Sequence, residues 1–334
     1  MFWKWTKRFW LGVIASFACL LIAGASYQFI STKLDEKKFP AFGRLIDVGG
    51  YKLHMYSTGT EGPSVVLDAG LGCISSDWEL VQKEASKFAH VISYDRAGTG
   101  WSEKSTNPRT SSQIVNELHT LLKNAGIPEP YILVGHSFGG NNVQLYAQTY
   151  PNEVSGIVLV DSCHENLEKT SSFRPLIERI KIMMNPQLVY FLSTFGISRF
   201  LLQAYSEQVL AAYPKLSRER SIAICSTQKH ICTVAAEYCA ISKSLSELKT
   251  TGRSHIKSKP CVIISAGLVT DLTKLGYPLD KKKSLNEIFD EWNDLQRDLA
   301  SKYNGAHHLI AKNSDHMIPW NQPDLIVFAI KELL

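Results

Sequence analysis

YILVGHSFGG, residues 131–140, joins a short apolar run to a serine flanked by glycines. Apolar runs of this kind suit strands that are buried on both faces of a parallel sheet. Beyond Gly140 the apolar side chains recur at helical spacing, which predicts a helix. A G-x-S-x-G turn between a strand and a helix is the context in which a serine hydroxyl is exposed for attack. The stretch therefore predicts a strand–turn–helix unit with Ser137 as its nucleophile.

The turn around Ser137 also accounts for the neighbouring glycines. A strained backbone at the tip of the strand leaves little room for side chains two residues before and after the serine, and Gly135 and Gly139 occupy these positions. The following helix begins beside the serine hydroxyl, where its free N–H groups and its dipole favour developing negative charge. These features are typical of chemistry in which a serine attacks a carbonyl group.

The chain around this unit alternates between short apolar runs and helical segments. The clearest helix is predicted over residues 111–124, with Gly126 just past its end. A hairpin is predicted around Gly49-Gly50. Strands that alternate with helices predict an α/β fold. The other runs that we predict as strands are residues 65–67, 91–94, 156–160, 261–265 and 307–311.

Three motifs together resemble the α/β-hydrolase family, over residues 44–334. They are DAGLG (68–72), YDRAGTGWS (94–102) and GHSFGG (135–140), which look like the family's early strand–helix turn, its D-x-x-G-x-G-x-S loop and its nucleophile elbow. Ala69-Gly70 stands where the family usually has His-Gly. The resemblance implies an eight-stranded, mostly parallel sheet that is flanked by helices and carries a helical cap inserted between two late strands.

The resemblance also implies partners for Ser137. The family's oxyanion hole uses the backbone N–H after the nucleophile and one from the early strand–helix loop, which correspond here to Phe138 and Leu71. The family's general base lies on a loop after the last strand. The segment NSDHM (313–317) follows the last predicted strand and offers His316 for this role. We therefore expect His316 to take the serine proton and return it to the leaving group.

Two positions compete for the acid that would orient His316. Asp161 follows directly after the predicted strand 156–160, a position that some relatives use. Asp271 follows the later predicted strand 261–265 but lacks the compact Gly-x-x-Asp turn that is usual there. We favour Asp161, although an aspartate at the end of a strand also serves as a turn cap.

The leading functional hypothesis is hydrolysis of a carboxylic ester through an acyl-enzyme on Ser137. An aminopeptidase or amidase would use the same catalytic groups, and a non-catalytic binding protein on the same fold is a further alternative. Epoxide hydrolase or dehalogenase chemistry is disfavoured, because relatives of that kind need aspartate at the nucleophile position. No cofactor and no metal ion are expected, since the sequence has no His and carboxylate cluster at ligand spacing.

The sequence divides into five parts. Residues 1–32 form an apolar leader, residues 33–43 a charged linker, and residues 44–162 the first part of the catalytic core. Residues 163–259 are predicted as the helical cap, and residues 260–334 complete the core. The cap is rich in apolar residues, which slightly favours a substrate with a lipid-like acyl or alkyl group, although most of these side chains are expected to pack the cap onto the core.

The leader has the composition of a membrane-spanning helix. No charged residue lies between Arg8 and Lys33, and residues 10–30 are almost entirely apolar. About 20 such residues cross a bilayer. The positive charges that precede them place the N-terminus in the cytoplasm and the catalytic domain outside it. The alternative is a cleaved signal peptide, with Ala23-Gly24-Ala25 as its processing site. We favour the uncleaved anchor.

Charge and cysteine content narrow the partners further. The net charge is +5, but Lys4, Lys7 and Arg8 precede the apolar residues 10–30, and the remaining 33 basic residues nearly balance 31 acidic ones. This balance argues against a nucleic-acid partner. Among the seven cysteines, three are spaced by seven residues, which predicts that they stack along one helical face as a packing stripe rather than as a redox or metal site. These are Cys225, Cys232 and Cys239.

Overall fold

The computed structural model describes residues 2–210, 213–250, 256–270 and 284–334. These residues form one eight-stranded sheet in the order β1-β2-β4-β3-β5-β6-β7-β8. The pairs β1–β2 and β2–β4 are antiparallel, and the other neighbours are parallel. The predicted, mostly parallel α/β sheet is therefore confirmed. The strands are β1 Arg44–Asp47, β2 Lys52–Thr58, β3 Ser64–Asp68, β4 His90–Tyr94, β5 Tyr131–His136, β6 Val154–Val160, β7 Cys261–Ala266 and β8 His307–Ala311.

Helices cover both faces of the sheet, in the arrangement of an α/β hydrolase. The described helices are α1 Phe2–Lys38, α2 Glu79–Ala85, α3 Ser111–Asn124, α4 Phe138–Thr149, α5 Phe173–Met183, α6 Pro186–Thr194, α7 Ile197–Val209, α8 Lys215–Cys225, α9 Gln228–Thr250, α10 Leu285–Ser301, α11 Ile318–Asn321 and α12 Pro323–Lys331. Short 3-10 turns occupy Ser75–Trp78, Pro151–Glu153 and Leu167–Lys169.

The central strands are buried because alternate side chains pack into two separate cores. Val66 and Leu133 point to the core beneath α3 and α4, whereas Val65 and Val134 point to the core beneath α2 and α12. Period-two alternation explains this division, since successive side chains of a strand lie on opposite faces. Burial of each such side chain contributes about 1.5–3 kcal/mol. The continuous apolar runs of the sequence thus become strands with no solvated face.

The segment between β6 and β7 contains helices α5–α9, and α9 joins them to the core. The hydroxyl of Ser244 on α9 accepts a hydrogen bond from the backbone N–H of Ser111 at 3.0 Å. The carbonyl of Ser244 accepts one from the side-chain amide of Asn141 on α4 at 3.3 Å. Cys225 ends α8, whereas Cys232 and Cys239 lie on α9. The prediction that these three cysteines stack along one helical face is therefore wrong, because helix α8 ends at Cys225. All seven cysteines are free.

The leader forms one continuous helix, α1, that runs through residues 33–38, which we predicted as linker. It is long and apolar enough to cross a membrane, with a mean hydropathy of 2.0 in its most apolar window. Residues 9–20 are exposed on all sides. In its second half a narrow stripe packs against α7, which the spacing of Gln28, Thr32 and Asp35 on one face explains.

Candidate active site

Ser137 sits in a sharp turn between β5 and α4. Its φ is 52° and its ψ is −117°, a conformation that ordinary residues avoid. A Cβ at Gly135 would lie 2.5 Å from the carbonyl oxygen of Gly139, and a Cβ at Gly139 would lie 2.2 Å from that of Asp68. The backbone N–H of Ser137 donates to the carbonyl of Val160 at 3.0 Å. The turn is thus held by close backbone packing that requires both glycines.

His316 and Asp161 form a hydrogen-bonded pair at the carboxyl ends of the strands. His316 Nδ1 lies 2.6 Å from Asp161 Oδ2, although the two residues are 155 positions apart in the chain. The Asp161 side chain is 2% exposed and the His316 side chain 27%. A carboxylate accepts, so Nδ1 of His316 carries the proton and Nε2 is left as an acceptor. Asp271 lies outside the described residues.

Two further contacts help to keep Asp161 ionised. Its Oδ1 accepts the backbone N–H of Ala266 at 3.0 Å and the indole N–H of Trp292 at 2.9 Å. Burial raises the pKa of this carboxyl, but the hydrogen bond from His316, the attraction to its imidazolium when His316 is protonated, and the Ala266 and Trp292 donors outweigh it. The pKa of Asp161 is therefore held below its ordinary value. A negative charge is thus available beside the imidazole at neutral pH.

The loop that carries His316 is fixed by its backbone. The His316 N–H donates to the hydroxyl of Thr270 at 3.1 Å. The His316 carbonyl lies 2.8 Å from Nε2 of His136, which must donate, because a carbonyl only accepts. Burial and the nearby His316 lower the pKa of His136 to about 3, so His136 is neutral. The Asp315 side chain accepts the backbone N–H of Met317 at 3.0 Å, which stabilises the turn after His316.

The positions predicted for the oxyanion hole face the same pocket. Phe138 is the first residue of α4, so its N–H has no acceptor within the helix ladder. Leu71 follows β3 and lines the pocket together with Phe138, Ser137 and His316. The structure thus brings all five predicted site residues to one place.

Arg96 supports the loop that carries Leu71. Its guanidinium donates to the carbonyls of Ala69 at 2.7 Å and Gly70 at 2.9 Å. It also forms two hydrogen bonds with Glu237 on α9, at 2.8 and 3.0 Å, and one with Asp68 at 2.9 Å. Arg96, Asp68 and Glu237 are all buried. One side chain therefore connects a cap helix to the loop next to the serine.

Apolar side chains dominate the pocket, which has a volume of about 190 Å³. Helices α5, α9 and α10 supply most of its walls. The apolar lining consists of Leu71, Phe138, Leu167, Phe173, Leu176, Ile177, Ile180, Tyr238, Ile241, Leu285, Ile288, Phe289 and Trp292. Among the described residues of the lining, Asp161 is the carboxylate and His316 the imidazole, and no Lys, Arg or Glu takes part. The cavity therefore suits an uncharged, apolar group beside a reactive polar centre.

A second serine, histidine and aspartate group lies elsewhere in the core and lacks access. His54 Nδ1 is 2.9 Å from Asp95 Oδ2 and 3.4 Å from the hydroxyl of Ser75. All three residues are at most 1% exposed. The other ring nitrogen of His54 accepts the backbone N–H of Gly43 at 3.1 Å. With that acceptor occupied and all three side chains buried, the group ties strands and loops together, and Ser75 is a matched control for Ser137.

The structure adds site residues that the sequence did not reveal. Trp292 and Thr270 contact Asp161 and His316, and helix α10 walls the pocket although it lies outside the predicted cap. Trp292 is 131 residues beyond Asp161, so no local pattern links the two. No group of three or more His, Cys, Asp or Glu residues that could hold a metal ion occurs in the described parts of the chain.

Comparison with known proteins supports the same fold. A family model described as "alpha/beta hydrolase fold" matches residues 63–183. The Bacillus subtilis (strain 168) protein YqjL, described as uncharacterized, is 27% identical over 287 residues, which cover 86% of this chain and 89% of YqjL.

Two solved structures illustrate how widely the chemistry varies on this fold. The epoxide hydrolase CorEH aligns with a TM-score of 0.66 at 16% identity, covering 87% of this chain and 97% of CorEH. The enol-lactonase from Burkholderia xenovorans LB400 aligns with a TM-score of 0.60 at 18% identity, covering 87% of this chain and 99% of the lactonase. At these identities the likeness establishes the fold, and the reaction must be argued from the site.

Proposed function

We propose that this chain, which has the α/β-hydrolase fold, is a serine hydrolase that cleaves carboxylic esters through an acyl-enzyme. The observation that carries the proposal is the 2.6 Å pair of His316 and Asp161 in the same pocket as Ser137 on its strained turn. A nucleophile, a base and an orienting acid in one apolar cavity are the parts that acyl transfer requires.

The reaction would proceed in two halves. The Ser137 hydroxyl attacks the ester carbonyl carbon while Nε2 of His316 takes its proton, and the N–H groups of Phe138 and Leu71 hold the oxyanion. Collapse of the tetrahedral intermediate expels the alcohol, which receives the proton from His316. Water then attacks the acyl-enzyme with His316 as base again, and the carboxylic acid leaves as Ser137 recovers its proton.

Asp161 would act on His316 rather than on the substrate. Its carboxylate fixes the tautomer that leaves Nε2 unprotonated and stabilises the imidazolium that forms during attack. The N–H groups of Ala266 and Trp292 hold the carboxylate in place. These contacts support an orienting and electrostatic role for Asp161 in the proposed mechanism.

The pocket lining favours an ester with an apolar acyl group. Leu176, Ile177 and Ile180 of α5 project into the cavity, whereas Ile182 and Met183 of the same helix are largely exposed. An apolar wall offers no partner for the charged terminus of a peptide, which an aminopeptidase must bind. An amidase with an apolar substrate remains the second candidate, because it would use the same groups.

Covalent labelling tests the mechanism directly. A fluorophosphonate probe loses fluoride when a reactive serine attacks its phosphorus, and we expect mass spectrometry of the full chain to locate the adduct at Ser137. Ser137→Ala should abolish labelling and His316→Ala should slow it strongly. Ser75→Ala should label like the parent chain, because Ser75 is buried. Labelling that persists in Ser137→Ala would overturn the assignment.

Turnover then separates esterase from amidase. We expect the full chain in detergent to hydrolyse p-nitrophenyl esters, with a preferred acyl length that reflects the pocket, and to act poorly on the matching p-nitroanilides. A folded, probe-reactive chain that cleaves only the anilides would favour the amidase. A folded chain that neither reacts with the probe nor cleaves any ester would favour a binding role.

A further inference from the structure

Helix α1 changes its surroundings partway along its length. Residues 9–20 are exposed around the whole helix, and contacts with the cap begin in the turn that follows. At Gly24 the helix passes so close to the α6–α7 turn that a Cβ would lie 2.6 Å from the carbonyl oxygen of Phe195. The hydroxyl of Tyr27 donates to Gln203 on α7 at 3.2 Å. The second half of α1 is therefore docked against α6 and α7.

A buried polar network fixes this docking. Arg199 on α7 is 2% exposed and donates from Nε to Gln28 at 3.0 Å and from Nη2 to Thr32 at 3.2 Å. Its Nη1 pairs with Asp35. Gln28 also donates to the carbonyl of Ser226 at 3.0 Å. Removing one partner of such a buried network leaves an uncompensated charge, so the helix cannot easily leave the cap.

The docking leaves α1 too short to span a bilayer with the cap held clear of it. Residues 9–23 lie between the last N-terminal charge, Arg8, and the first close contact with the cap. These fifteen residues rise about 22 Å as a helix, whereas the hydrocarbon core is about 30 Å thick. The remaining hydrocarbon thickness, about 8 Å, must therefore be crossed by the docked part of α1. There Phe29 and Ile30 are exposed on a face turned away from the cap.

The cap presents apolar side chains beside this part of α1. Six residues on α6 and α7 are 39–66% exposed. They are Leu188, Tyr190, Phe191, Ile197, Phe200 and Leu201. Contiguous exposed apolar side chains mark protein or membrane contact sites. We call these six residues the α6–α7 face.

We propose that the α6–α7 face lies in the lipid–water interface of the same bilayer that α1 enters. Helices of this kind bury their apolar side about 5–10 Å into the interface, which matches the length that α1 lacks. Tyr27 lies 19 residues beyond Arg8 on the same helix, a rise of about 28 Å, which is the depth where aromatic rings favour the headgroup level. The bilayer is the occupant because the face adjoins a membrane-length helix that is fixed to the same two helices.

Probe depth in a bilayer tests this proposal without any need for turnover, so its outcome is independent of the proposed function. The full chain is placed in phosphatidylcholine nanodiscs and labelled with an environment-sensitive fluorophore at Phe191→Cys or Phe200→Cys, in a background with Cys19→Ser and Cys239→Ser; for the deep-lipid reference Cys19 is kept and Cys239→Ser alone is introduced. Native Cys19, which is exposed in the apolar half of α1, provides the label that should lie deep in lipid. Phe328→Cys on α12 provides a matched aqueous control, since Phe328 is 47% exposed.

We expect blue-shifted emission and quenching by spin-labelled lipid at positions 191 and 200, intermediate between Cys19 and position 328. Water-like emission at 191 and 200 that equals the signal at 328 would overturn the proposal, and so would water-like emission at Cys19. Discs that hold a single copy of the chain exclude a second copy as the partner. If the shift appears only in discs with two copies, the face is a dimer contact and the proposal fails.

Discussion

Ser137 and Asp161 share a backbone property that sets them apart from the rest of the described chain. They are its two non-glycine residues with positive φ, at 52° and 42°. Such conformations cost about 1–3 kcal/mol each and persist where surrounding structure enforces them. Both occur at the carboxyl ends of neighbouring strands, β5 and β6. The strain therefore coincides with the proposed nucleophile and the proposed acid.

Asparagine at position 161 should separate chemistry from packing. Asp161→Asn keeps the side-chain volume but removes the charge and reverses the favoured tautomer of His316, so we expect kcat for ester hydrolysis to fall about 10³–10⁴-fold with little change in KM. Initial rates on a p-nitrophenyl ester measure this. Asp271→Asn is the matched control and should stay near the parent rate. A large loss in Asp271→Asn alone would assign the acid to Asp271 instead.

His136 should make stability depend on pH. Burial lowers its pKa from 6.5 to about 3 in the folded chain, so the unfolded chain binds one more proton between these values. The free energy of unfolding is then lost as the pH falls from about 6.5, at about 1.4 kcal/mol per pH unit. His136→Gln can still donate to the His316 carbonyl, and it should reduce this slope by that amount.

Chemical denaturation in detergent between pH 5 and pH 8 would measure the effect of His136→Gln. The difference in slope should vanish above pH 7.5, where histidine is neutral in both states. Parallel slopes at pH 5–6 would show that His136 is not neutral when folded.

The local residues of the site could be predicted from the sequence, and the distant ones could not. Ser137, its glycines and the N–H of Phe138 belong to one ten-residue pattern. Asp161 could be ranked above Asp271 only through the family resemblance, because the contact with His316 spans 155 residues. No sequence pattern indicated the contact of Trp292 with Asp161, because the position of helix α10 against the pocket depends on the whole fold.

Among the helices, α9 is connected to the loop that carries Leu71 through the ion pair of Glu237 and Arg96. Glu237→Gln removes the charge that faces Arg96, whose other N–H groups hold the carbonyls of Ala69 and Gly70 next to Leu71. We expect a loss of stability of about 3–5 kcal/mol, as for other broken buried pairs, and a lower kcat, because the loop that carries the proposed Leu71 N–H donor shifts.

The chain offers a matched control for Glu237. Glu117 makes two hydrogen bonds with Arg109, at 2.7 and 2.9 Å, and is also buried, but none of the residues that line the pocket takes part. Glu117→Gln should lower the midpoint of thermal unfolding by about as much as Glu237→Gln does, and it should leave kcat unchanged. If both variants lose kcat equally, the effect of Glu237 is one of general stability.

Elements with a local pattern were predicted almost to the residue. The helix predicted over residues 111–124 is α3, and the strands extend the predicted runs by one or two residues. The docking of α1 was missed, although the sequence holds a signal for it. Gln28, Thr32 and Asp35 place three polar groups on one helical face beside an apolar run, which lipid alone would not favour.

At the scale of the whole molecule, the leader is either an uncleaved membrane anchor or a cleaved signal peptide, and the two give different products. If α1 is an uncleaved anchor, the full chain should remain in the membrane pellet after alkaline carbonate extraction, and its intact mass should include residues 1–22. A chain that lacks residues 2–22 should be released, because the apolar segment that lipid stabilises is gone. A mature chain that begins after Ala25 would establish a signal peptide.

The unbroken course of α1 from Phe2 to Lys38 has a mechanical consequence. A flexible tether would let the catalytic domain tumble, whereas a continuous helix locked to the cap through Arg199 acts as a lever arm. Any tilt of its N-terminal half swings the cap through the same angle. The pocket entrance therefore keeps a fixed orientation relative to the surroundings of the N-terminal half of α1. Changes that tilt the helix, such as a thinner or thicker bilayer, would be felt at the pocket as a rotation.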